Sequence, residues 1–75
     1  MKYSEYEDIN GNPLWDGCRV KIIGILPEWW KVSELEEGGY SFIYDKYRKY
    51  WGITDNAVIH EIESLIWEGL EFEIL

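Results

Sequence analysis

Apolar residues recur at every second position over three stretches of the chain. From Cys18 to Leu26, Cys18, Val20, Ile22, Gly24 and Leu26 fall on one side and Arg19, Lys21, Ile23 and Ile25 on the other. A period of two with β-branched residues marks a half-buried strand. Its first half is amphipathic and its second half apolar on both sides. The pattern predicts a strand that runs from an edge into the core and ends at Pro27. From Tyr40 onward, Tyr40, Phe42 and Tyr44 alternate with Ser41, Ile43 and Asp45. Asp45-Lys46-Tyr47-Arg48-Lys49 is polar enough to turn, and Tyr50-Trp51-Gly52-Ile53 returns. This predicts a central β-hairpin with a cationic, aromatic tip. From Leu70 to Leu75, Leu70, Phe72 and Ile74 face inward while Glu71 and Glu73 face outward, a closing strand.

The remaining segments carry weaker periods. Met1 to Ile9 places Tyr3, Tyr6 and Ile9 among charged neighbours and suits an edge strand or a loosely held arm. Asn10-Gly11-Asn12-Pro13 is a turn, since Asn-Gly supplies positive φ and proline presets its own. Asp16-Gly17 is a second turn, with Leu14 and Trp15 as a short apolar anchor between the two. Residues 28–39 give a poor helical wheel, with Glu36 between Trp29 and Val32; a strand over Trp29–Ser33 followed by an acidic loop, 34–39, fits better. From Thr54 to Glu68 the period lengthens. At 100° per residue, Val58, Ile59, Leu65 and Ile66 gather about Ile62, opposite His60, Glu61, Glu63, Ser64 and Glu68. The expectation is a helix over about residues 56–68, capped by Thr54 or Asp55 and stopped by Gly69. The rival is an Asp55-Asn56 hairpin turn leading into another strand. Trp67 lies off the apolar side, as a rim contact or an exposed ring. Neither linkers nor repeats divide the chain, so residues 1–75 form one domain.

The run Asp8-Ile9-Asn10-Gly11-Asn12-Pro13-Leu14, then Gly17, then Arg19-Val20-Lys21-Ile22-Ile23-Gly24 resembles the opening of small SH3-like barrel proteins. There an Asp-x-x-Gly-x-x-Leu turn precedes a glycine and an x-Val-x-Ile first strand. The likeness covers residues 8–25. It departs at Cys18, where a charged residue often follows the glycine. The resemblance implies a binding module with no fixed ligand. The fold class expected is α+β: a small antiparallel sheet or SH3-like barrel of four to five strands with one C-terminal helix. An all-β SH3-like barrel is the alternative.

Composition sharpens this picture. At 75 residues the chain is near the lower limit for a self-sufficient core, and it meets that limit with aromatics, 17% of its residues. Their excess suggests that some rings form a contact surface. Fifteen acids against seven bases give a net charge of −8, which repels nucleic acid and anionic membrane and favours a cationic protein partner. The acidic N-terminus lacks the apolar stretch of a signal peptide, and no run is long enough to span a membrane, so a cytoplasmic location is expected. A single cysteine and a single histidine leave too few ligands for a zinc site. No glycine-rich phosphate loop is present. Cys18 reads as a small buried residue and His60 as a surface residue, and a Cys-His pair would require the two to meet. No enzyme, cofactor or metal is expected.

Two surfaces remain as candidate sites. The first is acidic. Residues 54–75 hold six acids and neither lysine nor arginine, and Glu61, Glu63, Glu68, Glu71 and Glu73 would present fixed carboxylates that imitate nucleic-acid phosphates. That suits a non-catalytic inhibitor of a nucleic-acid-binding enzyme, of the anti-CRISPR, anti-restriction or antitoxin kind encoded by phages. The second is the hairpin, where Tyr44, Tyr47, Arg48, Tyr50 and Trp51 are residue types enriched at energetic centres of interfaces. That suits an SH3-like adaptor binding a protein or peptide. A third reading has Lys46, Arg48 and Lys49 sequester a small anionic ligand. Exposed aromatics on so small a domain leave a homodimer open.

Overall fold

The computed structural model describes residues 2–25, 39–54 and 58–75. Strands β1 (Tyr3–Glu7) and β2 (Pro13–Trp15) pair antiparallel as a two-stranded sheet. Strands β3 (Cys18–Ile23), β4 (Tyr40–Asp45), β5 (Tyr50–Thr54) and β6 (Ile59–Glu61) follow. Helix α1 (Ile62–Trp67) then carries the chain to strand β7 (Glu71–Ile74). The larger sheet is antiparallel throughout, in the order β6-β5-β4-β3-β7. It is a four-strand meander, β3 to β6, whose first strand is also paired by the last, and it curls into a half-barrel. The mostly antiparallel sheet with one short helix is the architecture expected.

The register explains which residues are buried. Cys18 lies opposite Phe42 and Val20 opposite Tyr40. Phe42 lies opposite Ile53, and Val20 also opposite Ile74. Directly paired residues share a sheet face, so these residues make the concave side. Leu14 from β2 and Ile62 and Leu65 from α1 cover it, and with Phe42, Ile53 and Val20 they are the most deeply buried side chains. Cys18 is in this core, as expected, and burial pushes its thiol pKa up. On the convex side, Lys21 faces Glu73, and Arg19 donates hydrogen bonds to Ser41 Oγ (2.8 Å) and the Gly39 carbonyl (2.9 Å).

Several expectations need correction. Strand β3 stops at Ile23 and does not run into the core at its second half. Gly24 turns the backbone to φ +127°, packed against Leu70, and Ile25 is 92% exposed. The amphipathic first half carries the buried residues, Cys18 and Val20, which lie opposite Phe42 and Tyr40 of β4 on the core side; only Val20 is paired with both β4 and β7. The helix over 56–68 and its rival strand are each realised in part. Ile59–Glu61 pairs with β5, and only Ile62–Trp67 is helical. Thr54 belongs to β5 and pairs with Ile59, so it does not cap the helix; the capping position is Glu61, without a side-chain bond. Gly69 does stop it. At φ +87° its N–H reaches the Ile66 carbonyl, while Leu70 N–H reaches Leu65, a helix end closed by two buried leucines. His60 is half-buried in β6 opposite Ile53, not a surface residue. The strand expected over Trp29–Ser33, nearly all of the acidic loop after it, Pro27, and the Asp55-Asn56 turn lie outside the described residues.

Asp8 ties the two sheets together. Its carboxylate is buried at the end of β1 and accepts three backbone hydrogen bonds: from Asn10 (2.9 Å) and Asn12 (2.9 Å) in the turn, and from Ile74 (3.2 Å) in β7. Beside it, Ile9 N–H reaches the Phe72 carbonyl at 2.9 Å. Burial alone would raise the Asp8 pKa. The N–H groups of Asn12, Ile74 and Asn10 outweigh it and hold the carboxyl below its ordinary value. A depressed folded-state pKa contributes stability above the unfolded carboxylate pKa, lost as pH falls through the folded value. Asp8→Ala is therefore expected to lower Tm at pH 7 by roughly 5 °C or more. It should also flatten the loss of stability below about pH 4, which thermal melts across an acid pH series would show.

Gly52 permits the close approach of β6. A Cβ there would stand 2.5 Å from Ile59 Cγ2 and 2.7 Å from the His60 carbonyl oxygen. Gly52→Ala is expected to cost about 1–3 kcal/mol and to lift β6 from β5. Native-state hydrogen exchange should show amide protection lost first at residues 59–61.

Candidate functional site

The hairpin tip forms as its sequence suggests. The Asp45 side chain accepts the N–H groups of Tyr47 (2.9 Å) and Arg48 (3.1 Å), and its carbonyl accepts Lys49 N–H at 2.7 Å. Lys49 takes a positive φ of 62° to close the turn. Arg48 donates to the Tyr50 hydroxyl at 3.1 Å and lies 4.0 Å from the Asp45 carboxylate; both raise its pKa. Of the five hairpin candidates, Tyr47 is 96% exposed and Arg48 is exposed. Tyr44, Tyr50 and Trp51 are half-buried. Trp51 stacks on Phe42 with centroids 5.1 Å apart, Tyr44 meets Trp51 edge-on, and Lys2 Nζ sits 3.5 Å over the Tyr44 ring. Trp51 thus serves the core first.

The acidic candidates occupy three places. Glu61 ends β6, Glu63 is in the first turn of α1, and Glu68 follows the helix, exposed. Glu71 is exposed in β7, and Glu73 stands directly across from Lys21. The structure brings Glu63 to Tyr6 of β1. The Tyr6 hydroxyl donates a short hydrogen bond to Glu63 Oε2. Its pKa is pushed up to about 12, first by burial, then by this bond, and then by the charges of Glu63, Glu5 and Glu61. Glu5 adds a further negative charge from the neighbouring position of β1; the sequence reading did not name it as a site residue.

A cleft of about 210 Å³ opens between the end of β1 and the α1–β7 corner. Ile62, Leu70 and Phe72 form its buried floor, Ile9 and Ile66 are its walls, and Glu7 and Glu71 lie on its rim. Among the described residues, none that lines it is lysine or arginine. Ile9 and Ile66 were not singled out from the sequence as site residues: Ile66 falls on the expected apolar side of the helix, yet it is 44% exposed here, and Ile9 is 45% exposed.

Cys18 and His60 do not meet: Phe42 and Ile53 stand between them along one row of the sheet. Among the described residues, no group of three His, Cys, Asp or Glu side chains could hold a metal ion, and no helix is long and apolar enough to cross a membrane. No protein-family model matches the chain, and neither a curated protein nor a solved structure matches it.

Tyr6 offers a direct check of the cluster. Its raised pKa favours the neutral phenol in the folded state. The stability it contributes is present below pH 10 and is lost as pH rises towards about 12. Tyr6→Phe is expected to cost at most about 1 kcal/mol at neutral pH. It should also remove this alkaline loss from unfolding curves recorded between those two pH values.

Proposed function

We propose that this chain is a non-catalytic protein-binding domain whose acidic surface occupies the cationic, phosphate-binding site of a nucleic-acid-handling enzyme, as an inhibitor of the phage-encoded mimic type. The observation that carries the reading is the acidic character of this end of the molecule: Glu63 accepts the Tyr6 hydroxyl, Glu61 stands just before it at the end of β6, and Glu7 and Glu71 line the cleft beside Tyr6. Carboxylates carried on β1, β6, α1 and β7 form a negative field of the kind a phosphate-binding groove attracts. The layout of cations supports it as well. Lys46, Arg48 and Lys49 are confined to the β4–β5 turn, whereas Glu68 and Glu71 lie at the opposite end of the sheet. We propose an SH3-like barrel as the scaffold; the return of β7 to β3, the first strand of the meander, in a curled sheet supports it.

A second reading has one observation in its favour. Tyr47, almost wholly exposed beside Arg48, suits the tip of an adaptor that grips a partner through the hairpin. Tyr47→Ala tests it without disturbing the core, which Trp51→Ala would not.

The deciding experiment is a pull-down from host lysate at low and high salt, with captured proteins identified by mass spectrometry and purified for binding assays. The expected partner is a nucleic-acid-handling enzyme held at low salt, released at high salt and displaced by duplex DNA. Glu5→Lys, Glu61→Lys and Glu68→Lys combined leave the Tyr6–Glu63 bond intact. They should weaken binding at least about tenfold with an unchanged circular dichroism spectrum. A partner that survives both high salt and the triple reversal, and is lost with Tyr47→Ala, would replace this reading with the adaptor.

A further inference from the structure

The cleft beside the acidic cluster is shaped for more than charge. Its floor of Ile62, Leu70 and Phe72 is sealed within the core, yet its walls are open: Ile9 is 45% and Ile66 44% exposed. Its volume of about 210 Å³ is that of several waters at about 30 Å³ each, enough for an aliphatic side chain. At about 100° per residue, Ile66, Glu63 and Trp67 fall on one side of α1, away from Leu65. The indole of Trp67, 88% exposed, therefore extends the apolar surface next to Glu63.

Among the described residues, the charge around this surface has one sign. Glu7 and Glu71 line the cleft and Glu63 adjoins it through Tyr6. The described cations are placed elsewhere: Lys2 over Tyr44, Arg19 on Gly39 and Ser41, Lys21 opposite Glu73, and the remaining three in the hairpin turn. An apolar slot with carboxylates on its rim complements an apolar side chain with cations on either side.

We infer that the cleft between β1 and the α1–β7 corner receives an aliphatic side chain from a lysine- or arginine-rich segment of the partner protein, anchored by Ile9, Ile66, Leu70 and Trp67 and steered by Glu7, Glu63 and Glu71. This rests on the cationic-partner reading above and adds an anchor to it. Charge draws the segment in and sets the on-rate, and burial of its apolar side chain slows its release. The hairpin turn of a second copy, with Tyr47 among three cations, has related chemistry. Two chains of net charge −8 repel one another, which favours a foreign segment.

The test uses the whole chain and three synthetic peptides of equal length: one leucine flanked by lysines, the same peptide with serine for leucine, and the leucine flanked by glutamates. Methyl NMR reads the site. The lysine–leucine peptide is expected to shift the methyl signals of Ile9, Ile66 and Leu70 and to bind at least about fivefold more tightly than the serine version. Ile66→Glu and Trp67→Ala, both at exposed positions, should each weaken it about tenfold while the fold is retained. Equal binding of leucine and serine peptides overturns the anchor but leaves the acidic-surface reading standing. Equal binding of lysine and glutamate peptides overturns both. Concentration-dependent self-association of the free chain that Ile66→Glu or Tyr47→Ala abolishes would assign the cleft to a second copy and overturn the foreign partner.

Discussion

One buried carboxylate is a principal tie in this molecule. Asp8 accepts hydrogen bonds from the turn after β1 and from the edge of β7, and with the Ile9–Phe72 bond and the burial of Leu14 it fastens a two-stranded hairpin to a five-stranded sheet. Burying a charge is costly unless its lone pairs are filled, and here three backbone N–H groups fill them. The same contact determines where Ile9 sits, and so sets one wall of the cleft. It also occupies the outer edge of β7 with a carboxylate and a loop, which denies that edge to any further strand.

The second organising feature is segregation of charge. A chain with twice as many acids as bases could have scattered its cations among them. Instead three gather in a turn that Asp45 closes, and among the described residues no lysine or arginine lines the cleft that Glu7 and Glu71 border. Such an arrangement gives the domain a direction. An approaching charged surface is oriented before contact, over distances of about a Debye length, roughly 8–10 Å at moderate salt.

Much of the sheet was legible in the sequence because its strands obey a period of two: Tyr40–Asp45, the return at Tyr50, and Leu70–Leu75 read directly. The errors fall where tertiary contact overrides pattern. Ile23 and Ile25 looked like core, but Gly24 against Leu70 bends the strand away. Ile59, Ile62 and Leu65 carry a helical spacing and no clean period of two, yet the chain is first a strand and then a helix, because Ile59–Glu61 pairs with β5. Asp8 was read only as part of a turn, since nothing local reveals that β7 will donate to it from the far end of the chain. The acidic residues were visible as a list, but their grouping was not. Glu73 is set apart opposite Lys21, and Glu5 enters from β1, both by virtue of pairings that span most of the sequence.

The pairing of β3 with β7 also shapes the order in which the domain assembles. The β4–β5 hairpin closes over a turn of a few residues and can form within microseconds. Val20, by contrast, must find Ile74, with nearly all of the meander between them. Loop closure of that span has to precede any reward from the core it seals. Folding of this domain is therefore paced by its last strand, and until β7 docks, Phe42, Ile53 and Val20 remain partly uncovered, open to chaperones, proteases and neighbouring chains.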